Sequence, residues 1–295
     1  MSKKKSAAEP VEYIDSQAFD AAKEKIIGKS HNDKGIGTLS EKTLHAVLKM
    51  YYEPDEDNHE VAIDGYFADI YNEHGIIEIQ TRQLNKLRDK LSVFLNEYQV
   101  RVVYPMPYEK YLSWIEPETG DITSRRKSPK RCSVYDAMFE LYKIKAFLKN
   151  QNLKVTLLLI DMEEYKLLNG WSYDKKRGSV RYDRIPVGIR KIVELDCPQD
   201  YMQFVPEGLE KNFTSADFAN AAHIDRQTAA SVLAMLNYME QVKRVGKTGN
   251  AYIYAVSYTH LRAHETRSIT WNRLKESERQ AMPIYTILKN IIEWR

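Results

Sequence analysis

The residues with the clearest chemical potential are two carboxylates, Asp69 and Glu78, in neighbouring β-rich segments. A polar break over residues 72–75 separates the segments and ends in glycine, which is typical of a β-hairpin. With that break as the loop, Asp69 lies directly opposite Glu78, and period-2 alternation places Gln80 on the same face as Glu78. Like charges in opposite positions destabilise a sheet, so the pair calls for an explanation.

A divalent cation between the two carboxylates would remove this repulsion. Carboxylate oxygens are ligands that suit Mg²⁺, and Mn²⁺ is a candidate for the same ligands. A metal held in this way can activate water and hold a phosphodiester for in-line attack. The sequence therefore predicts a metal site at Asp69 and Glu78, with Gln80 positioning the water or the scissile phosphate. The alternative is an ordinary hairpin whose carboxylates are solvated.

The pattern Ala68-Asp69, eight intervening residues and then Glu78-Ile79-Gln80 resembles the site motif of the PD-(D/E)xK nuclease superfamily. That motif has an Asp on one strand and Glu-x-Lys on the next. The leading Pro is missing here and Gln80 replaces the Lys, as it does in some restriction enzymes and in the CoiA competence group. The replacement removes a cation that could orient the attacking water. The resemblance implies an α/β, restriction-endonuclease-like mixed sheet with flanking helices.

The periodicity of the flanking segments fits the same fold. Apolar residues at helical spacing predict one helix over residues 44–51 and another over residues 84–95, with Thr81 as the N-cap of the second. Residues 99–104 then predict a strand that Pro105 ends. The order helix, strand, strand, helix, strand is the one that the superfamily shows.

Further along, residues 155–160 form a continuous apolar run, the kind of strand that is buried on both faces. Asp161, Glu163 and Glu164 follow it. We expect these acids in a loop or a first helical turn, and not as metal ligands. Residues 192–195 predict one more strand.

Glu41 has both a functional and a structural interpretation. Many members of the superfamily carry a Glu on the first helix, so the resemblance implies that Glu41 assists the site, with His45 one turn further along. Thr38 and Glu41 also have the spacing of a capping box, in which Glu at N3 returns to the N-cap amide. The basic run Arg125, Arg126 and Lys127 is similarly open, because it could neutralise phosphates or form a solvated loop.

A second domain follows the boundary at residues 206–208. Two short helices around a tight turn at residues 223–225, and then a hairpin around residues 248–250, resemble a winged helix-turn-helix. That fold inserts its second helix into the major groove of DNA. Winged helices also serve as protein-docking modules. The resemblance implies a recognition helix that begins with Arg226, Gln227 and Thr228, and a wing that carries Lys243, Arg244 and Lys247.

Composition sets the limits of these predictions. The 295 residues, of which 43% are apolar, leave room for two domains. We expect a basic tail over residues 1–15, a nuclease-like domain over 16–205 and the winged helix over 209–255. The net charge of +3 is small, so contact with DNA must come from local patches. No apolar stretch approaches the roughly 20 residues of a membrane span, and the N-terminus lacks a signal peptide. The two cysteines lack metal-type spacing and are consistent with a reducing compartment. Together these features predict a cytoplasmic protein without a membrane partner.

The segment over residues 256–267 resembles the in-frame translation of a common sequencing adaptor. We therefore expect residues 256–295 to be an artefactual tail. The cluster of His260, His264 and Glu265 accordingly receives no interpretation as a metal site.

Three functions are compatible with the sequence. The first is a Mg²⁺-dependent DNA nuclease guided by the winged helix, in which Asp69 and Glu78 hold the metal and Gln80 and Glu41 assist. The second is a non-catalytic DNA-binding or regulatory protein on a degenerate nuclease fold. The third is a protein-interaction module of a defence or mobile-element system. The sequence leaves the oligomeric state open.

Overall fold

The computed structural model describes residues 13–32, 43–169 and 178–257. Glu41, residues 1–12 and residues 258–295 lie outside these ranges. The chain divides into two units, one ending at Cys197 and the other beginning at Pro198. None of the helices in the described ranges is long and apolar enough to cross a membrane.

The first unit is a mixed α/β structure, as predicted, with a large mixed sheet flanked by helices. Its helices are α1 (Ser16–Asn32), α2 (Thr43–Tyr52), α3 (Arg88–Phe94) and α4 (Ala137–Leu141). Its strands are β1 (His59–Ile63), β2 (Tyr66–Asn72), β3 (Gly75–Ile79), β4 (Val100–Ile115), β5 (Arg126–Lys127), β6 (Leu153–Leu167) and β7 (Val180–Leu195).

The strands lie in the order β1-β2-β3-β4-β6-β7, and β5 pairs with β4. The first three strands form an antiparallel meander. Strand β4 lies parallel to β3 on one side and to β6 on the other. Parallel neighbours need a crossover connection. Helix α3 lies in the connection from β3 to β4, and α4 lies in the connection from β4 to β6. Strand β7 returns antiparallel to β6.

Helices α1 and α2 cover one face of this sheet. The predicted stripe of α2 is buried, and Val47 and Leu48 pack in one apolar cluster with Leu158 and Ile160 of β6. Phe19 of α1 belongs to the same cluster. Ile14 forms a bridge with Ile189 of β7, so the fold includes residues that the sequence placed in the N-terminal tail.

Pro105 does not end β4, contrary to the prediction. The amide of Gln80 donates to the carbonyl of Val103 at 3.0 Å. This bond shows that the odd-numbered residues of β4 direct their backbone groups toward β3. Pairing with β3 stops at Val103, so Pro105 and Pro107 direct their missing N–H groups toward a side that β3 no longer occupies. Proline is tolerated in a strand where no ladder bond is lost, and β4 therefore continues to Ile115.

Two other predictions about local structure are wrong. Asp161, Glu163 and Glu164 lie inside β6, which continues to Leu167. Cations of β4 and β7, and Arg125 directly before β5, pair with these acids. Thr81 does not cap the following helix. A 3-10 turn over Leu84–Leu87 leads into α3, and the left-handed residue Gln83 stands at its N-cap.

The second unit contains helices α5 (Ser215–Ala222) and α6 (Arg226–Tyr238) and strands β8 (Phe213–Thr214), β9 (Val242–Thr248) and β10 (Ala251–Val256). The three strands form a sheet in the order β8-β10-β9. Thr214 caps α5, one of the two residues predicted for that role, and Asp225 caps α6. A 3-10 helix over Pro198–Phe204 also belongs to this unit, so the division falls earlier in the chain than predicted.

The second unit extends further toward the C-terminus than the sequence indicated. Val256 pairs with Val242 in the β9–β10 hairpin. Ser257 is buried, and its amide donates to the carbonyl of Gln241 at 2.9 Å. Val256 and Ser257 therefore belong to the fold of this unit, whereas residues 258–295 of the predicted tail lie outside the described ranges. The artefactual origin of residues 256–295 stays a prediction.

Candidate active site

The β2–β3 hairpin has the predicted register. Tyr71 pairs with Ile76, and the turn consists of Glu73 and His74. Regular pairing between the strands ends at Ile70 and Ile77. Beyond that point β3 continues beside β4 alone, and the two candidate carboxylates stand where β2 and β3 separate.

Asp69 lies directly beyond the last regular pair. Its Oδ2 accepts the backbone N–H of Ile79 at 2.7 Å, so the carboxylate takes the place of a carbonyl on a neighbouring strand. The same oxygen is 3.1 Å from Nε2 of His45 on α2. Burial by itself would raise the pKa of Asp69, but the hydrogen bond and charge of His45, the Ile79 amide and the charge of Lys90 together lower it. Asp69 is therefore held as a fixed negative charge.

Glu78 is buried, with 2% of its surface exposed. Nζ of Lys90, on α3, lies 2.9 Å from each of its carboxylate oxygens. The same ammonium donates to the carbonyl of Phe67 at 2.6 Å. Lys90 thus ties α3 to both β2 and β3 at the position of the carboxylate pair.

The pKa values of the two carboxylates are shifted in opposite directions. Burial and the negative charge of Asp69 raise the pKa of Glu78 to about 7, against the opposing effect of Lys90. Paired titratable groups whose surroundings separate their pKa values are typical of functional sites. The repulsion inferred from the sequence is therefore present in the folded protein, and one cation offsets it only in part.

This raised pKa predicts that the protein loses stability as the pH rises. The unfolded chain releases the Glu78 proton near the ordinary value of 4.5, whereas the folded protein keeps it to about pH 7. The folded state binds the extra proton in this window, so the free energy of unfolding falls as the pH rises through it. We expect urea denaturation at pH 5 and pH 8 to show a loss of up to about 3 kcal/mol in the wild type that is absent in Glu78→Gln. The exposed Glu73→Gln should retain the wild-type loss, and equal pH profiles for all three proteins would contradict the assignment.

Gln80 and Glu41, the other predicted catalytic residues, have different outcomes. The side-chain amide of Gln80 donates to the carbonyl of Arg82, so it holds the turn that follows β3. Glu41 lies outside the described ranges. In the described ranges no group of three or more His, Cys, Asp or Glu side chains is placed to hold a metal ion.

Lys90 is the residue that the sequence analysis missed. It stands three residues after Leu87 and four before Phe94, two buried residues of the α3 region, and residues at these spacings share a helix face. A cation at the border of a sheet-facing apolar stripe was the available signal. It pointed to a buried partner without identifying Glu78.

The basic run over residues 125–127 lies partly in a strand. Arg125 is 3.2 Å from Glu163 and stacks on the ring of Tyr111 with its guanidinium carbon 3.7 Å from the centroid. Lys127 is 2.8 Å from Glu109. Arg126 is exposed on β5, so acids of the same sheet pair with two of the three predicted phosphate contacts.

The predicted recognition residues open α6. Arg226 and Gln227 are exposed. Thr228 is buried, and its hydroxyl is 2.6 Å from Oδ2 of Asp225, while Oδ1 of Asp225 accepts the amides of Gln227 and Thr228 at 2.9 Å. Thr228 therefore takes part in the N-cap.

The three cations predicted for the wing, Lys243, Arg244 and Lys247, are exposed on β9. The guanidinium carbon of Arg244 lies 4.3 Å from the ring centroid of Tyr252, and Nζ of Lys247 lies 4.6 Å from it. The hairpin thus presents positive charge together with a half-exposed aromatic ring.

Comparison with known proteins places the candidate site within a family. Residues 42–196, more than half of the chain, match a domain of unknown function, DUF8091. An uncharacterized protein of Treponema pallidum (strain Nichols) is 30% identical over 167 residues, which cover 56% of this chain and 64% of that protein. The match thus spans less than two thirds of the relative's length. No solved structure gives a significant match.

Proposed function

The chain belongs to the family of the domain of unknown function DUF8091, and we propose that it is a nuclease that hydrolyses DNA phosphodiester bonds with a divalent metal ion. The observation that carries the proposal is the placement of Asp69 and Glu78. Both carboxylates stand at the point where β2 and β3 separate, and the charge of the first raises the pKa of the second. A cation bound between them would relieve an interaction that is otherwise unfavourable.

The residues at this point fit Mg²⁺, with Mn²⁺ as a substitute. Mg²⁺ is commonly held by one or two carboxylates together with water and phosphate oxygens, so a third protein ligand is not required. The hydrogen bonds of Asp69 to His45 and Ile79 both use Oδ2. The carboxylate of Glu78 is bound to an ammonium group that is itself partly exposed, and a metal could compete with it.

Each side chain has a defined part in this proposal. When bound, the metal would supply charge stabilisation and a water of lowered pKa. His45 keeps Asp69 ionised and oriented, because it hydrogen-bonds the carboxylate. Lys90 supplies the cation that Gln80 lacks, so the positive charge of the Glu-x-Lys motif comes from α3 instead of β3.

The order of elements supports a restriction-endonuclease-like fold for the first unit. Helix α2 precedes the antiparallel meander, α3 follows it, and β4 then lies parallel to β3. This is the predicted order with β1 as one further strand. The candidate residues stand on the second and third strands of that meander.

The second unit supports a winged helix that carries the enzyme to DNA. Helices α5 and α6 are joined by a tight turn, and the β9–β10 hairpin follows them. Arg226 and Gln227 would read the groove from the start of α6, and the wing cations would contact phosphates.

We expect Lys247→Ala to weaken DNA binding without affecting the fold, because Lys247 is exposed on the wing. If it neutralises one phosphate, the slope of log K against log salt should fall by about one. Fluorescence anisotropy with labelled duplex DNA over a salt series would measure this. Lys211→Ala removes another exposed lysine of the same unit and should leave the slope unchanged. Equal slopes for both variants and the wild type would argue against a wing contact.

One observation favours the second candidate function, a non-catalytic DNA-binding protein. Lys90 and His45 already engage the two carboxylates, so both have partners without a metal. A nuclease-like unit that has lost catalysis would keep such ion pairs for stability.

A cleavage assay decides between these functions. Purified protein would be incubated with single- and double-stranded DNA and with RNA, in Mg²⁺, Mn²⁺ or EDTA. We expect cleavage of DNA that requires the metal. Binding without cleavage in either metal would favour the non-catalytic function. Absence of both binding and cleavage would favour the protein-interaction module.

A further inference from the structure

A second charged cluster lies where β4, β6 and β7 run side by side. At its centre is Glu164 of β6, which is 2% exposed. Its Oε2 is 3.4 Å from Nζ of Lys110 on β4, 3.1 Å from Nε of Arg181 and 3.2 Å from Nε of Arg184, both on β7. One buried carboxylate oxygen therefore faces three cations.

The positive charge of this cluster exceeds its negative charge. Lys166 adds a fourth cation at 3.9 Å from the other oxygen of Glu164. The nearby carboxylate of Asp161 pairs with a different cation, Arg190. Asp183, which precedes Arg184 in the chain, accepts hydrogen bonds from the amide and hydroxyl of Thr43 on α2 instead of pairing with a cation of the cluster. Because cations held away from water are costly unless they are neutralised, an excess of this kind is suited to an anionic ligand.

The hydrogen-bonding of the cluster is also incomplete. Nη1 of Arg181 is buried and has no hydrogen-bond partner among the residues that the structure describes. Burial and the charge of Arg184 lower the pKa of Arg181. Burial lowers the pKa of Lys110 as well, and the attraction of Glu164 does not offset this effect. A buried guanidinium N–H without an acceptor lowers the stability of the fold, and a bound anion that accepts its hydrogen bond would remove this penalty.

A cavity of about 450 Å³ adjoins the cluster. Arg184 and Arg82 line it together with Tyr104. Two acids also line the cavity, and both have partners. Asp136 accepts the amide of Ser133, and Glu140 accepts the amide of Leu84 and pairs with Lys143.

We propose that Arg181 and Arg184, with Arg82, bind a phosphate group of a nucleic acid strand. The proposal rests on the proposed nuclease function, because it assigns this phosphate to the substrate. Guanidinium groups match the oxygens of a phosphate with paired N–H donors. Arg82 follows Glu78 by four residues, so their Cα atoms lie within about 14 Å. A phosphate held here would anchor the strand beside the carboxylates of the candidate active site.

Inorganic phosphate tests the anion site without any cleavage. We expect saturating phosphate to raise the Tm of the wild type by about 2–4 °C relative to chloride at equal ionic strength. Arg184→Gln should lose most of this increase, and Lys191→Gln, at an exposed lysine on the same strand, should keep it. Because Arg184→Gln removes one of several like charges around Glu164, its Tm without phosphate should equal or exceed that of the wild type.

A lowered Tm in Arg184→Gln, together with a phosphate response equal to that of the wild type, would overturn the proposal. The cluster would then be an ion-pair network that stabilises the sheet. Retention of the Tm in chloride and loss of the phosphate response is the combination that a purely structural cluster cannot give.

Binding of oligonucleotides identifies the source of the phosphate. Affinity for a single-stranded deoxyoligonucleotide would be measured in Asp69→Asn protein, so that no cleavage interferes. Adding Arg184→Gln should weaken binding about 10-fold and reduce the salt slope by about one, whereas adding Lys191→Gln should not. The same strand would carry either a 5′-phosphate or a 5′-hydroxyl group. A preference for the phosphorylated strand that Arg184→Gln removes identifies a terminal phosphate, and equal weakening of both identifies an internal phosphodiester.

Oligonucleotide affinity that is insensitive to Arg184→Gln would overturn the nucleic acid as the ligand, even if inorganic phosphate binds. Failure of the nuclease proposal gives a different result. In that case the wild type cleaves no substrate, but the effects of Arg184→Gln on phosphate and oligonucleotide binding remain.

Discussion

Asp69→Asn should lower the rate of metal-dependent DNA cleavage on the order of 10³-fold or more, because it removes a charge that holds the metal where negative charge develops in the transition state. The loss should appear in kcat, with the affinity for DNA almost unchanged. Asn has nearly the shape of Asp, and its side-chain oxygen can still accept the amide of Ile79, which lies 2.7 Å from Oδ2 in the wild type. The fold should therefore survive the substitution.

Asp64→Asn provides the matched control. Asp64 is exposed in the turn between β1 and β2, and its left-handed φ of 49° is a conformation that Asn adopts readily. Single-turnover cleavage and anisotropy would be measured for both variants in Mg²⁺. Cleavage by Asp69→Asn at the rate of Asp64→Asn would mean that the carboxylate pair does not form the active site.

The same pair of variants also separates nuclease from DNA-binding protein. If the protein only binds DNA, the wild type and both variants should cleave nothing, and Mg²⁺ should change the Tm of all three equally little. Under the nuclease function Mg²⁺ stabilises the wild type, because it binds the folded state and neutralises Glu78. Asp69→Asn should lose that stabilisation.

The hairpin was predictable from the sequence because its determinants are local. A polar break that ends in glycine and the alternation on either side of it fix the register of β2 and β3, and the observed pairing of Tyr71 with Ile76 has that register. The Thr214 cap of α5 is local in the same way, since its partner Asp217 lies three residues further along the chain. Such features depend little on the remainder of the fold.

Features that depend on distant partners were not predictable in this way. A proline usually breaks the hydrogen bonding of a strand inside a sheet. Pro105 does not, because it lies where the neighbouring β3 has already stopped. Glu164 has the sequence context of a loop residue, but its cations come from β4 and from β7. The same limit applies to Lys90, which is twelve residues after Glu78 and reaches it only because α3 returns across the sheet.

Lys90→Met should reduce cleavage by about 10²-fold, and a second substitution, Gln80→Lys, should restore at least part of the activity. The ammonium of Lys90 lies 2.9 Å from both oxygens of Glu78, so its removal leaves a buried carboxylate unpaired, which is strongly destabilising. Protonated Glu78 is neutral and needs no cation, so the destabilisation is smaller at a pH where Glu78 keeps its proton. The Tm of Lys90→Met should therefore fall further below that of the wild type at pH 8 than at pH 6.

The restoration follows from the geometry of β3. Gln80 directly follows β3, and its backbone amide still bonds Val103 of β4. Its side chain bonds the carbonyl of Arg82 in the wild type. Because alternate residues of an extended chain share a face, we expect a lysine in its place to turn its ammonium toward the Glu78 carboxylate when Lys90 is absent. In the wild-type background Gln80→Lys should add little, because Lys90 already occupies both oxygens of Glu78. Lys86→Met, at an exposed lysine in the turn before α3, should leave cleavage and its pH dependence unchanged. If Gln80→Lys raises the activity of the wild type and fails to restore Lys90→Met, the cation of Lys90 serves the stability of Glu78 and takes no part in the proposed chemistry.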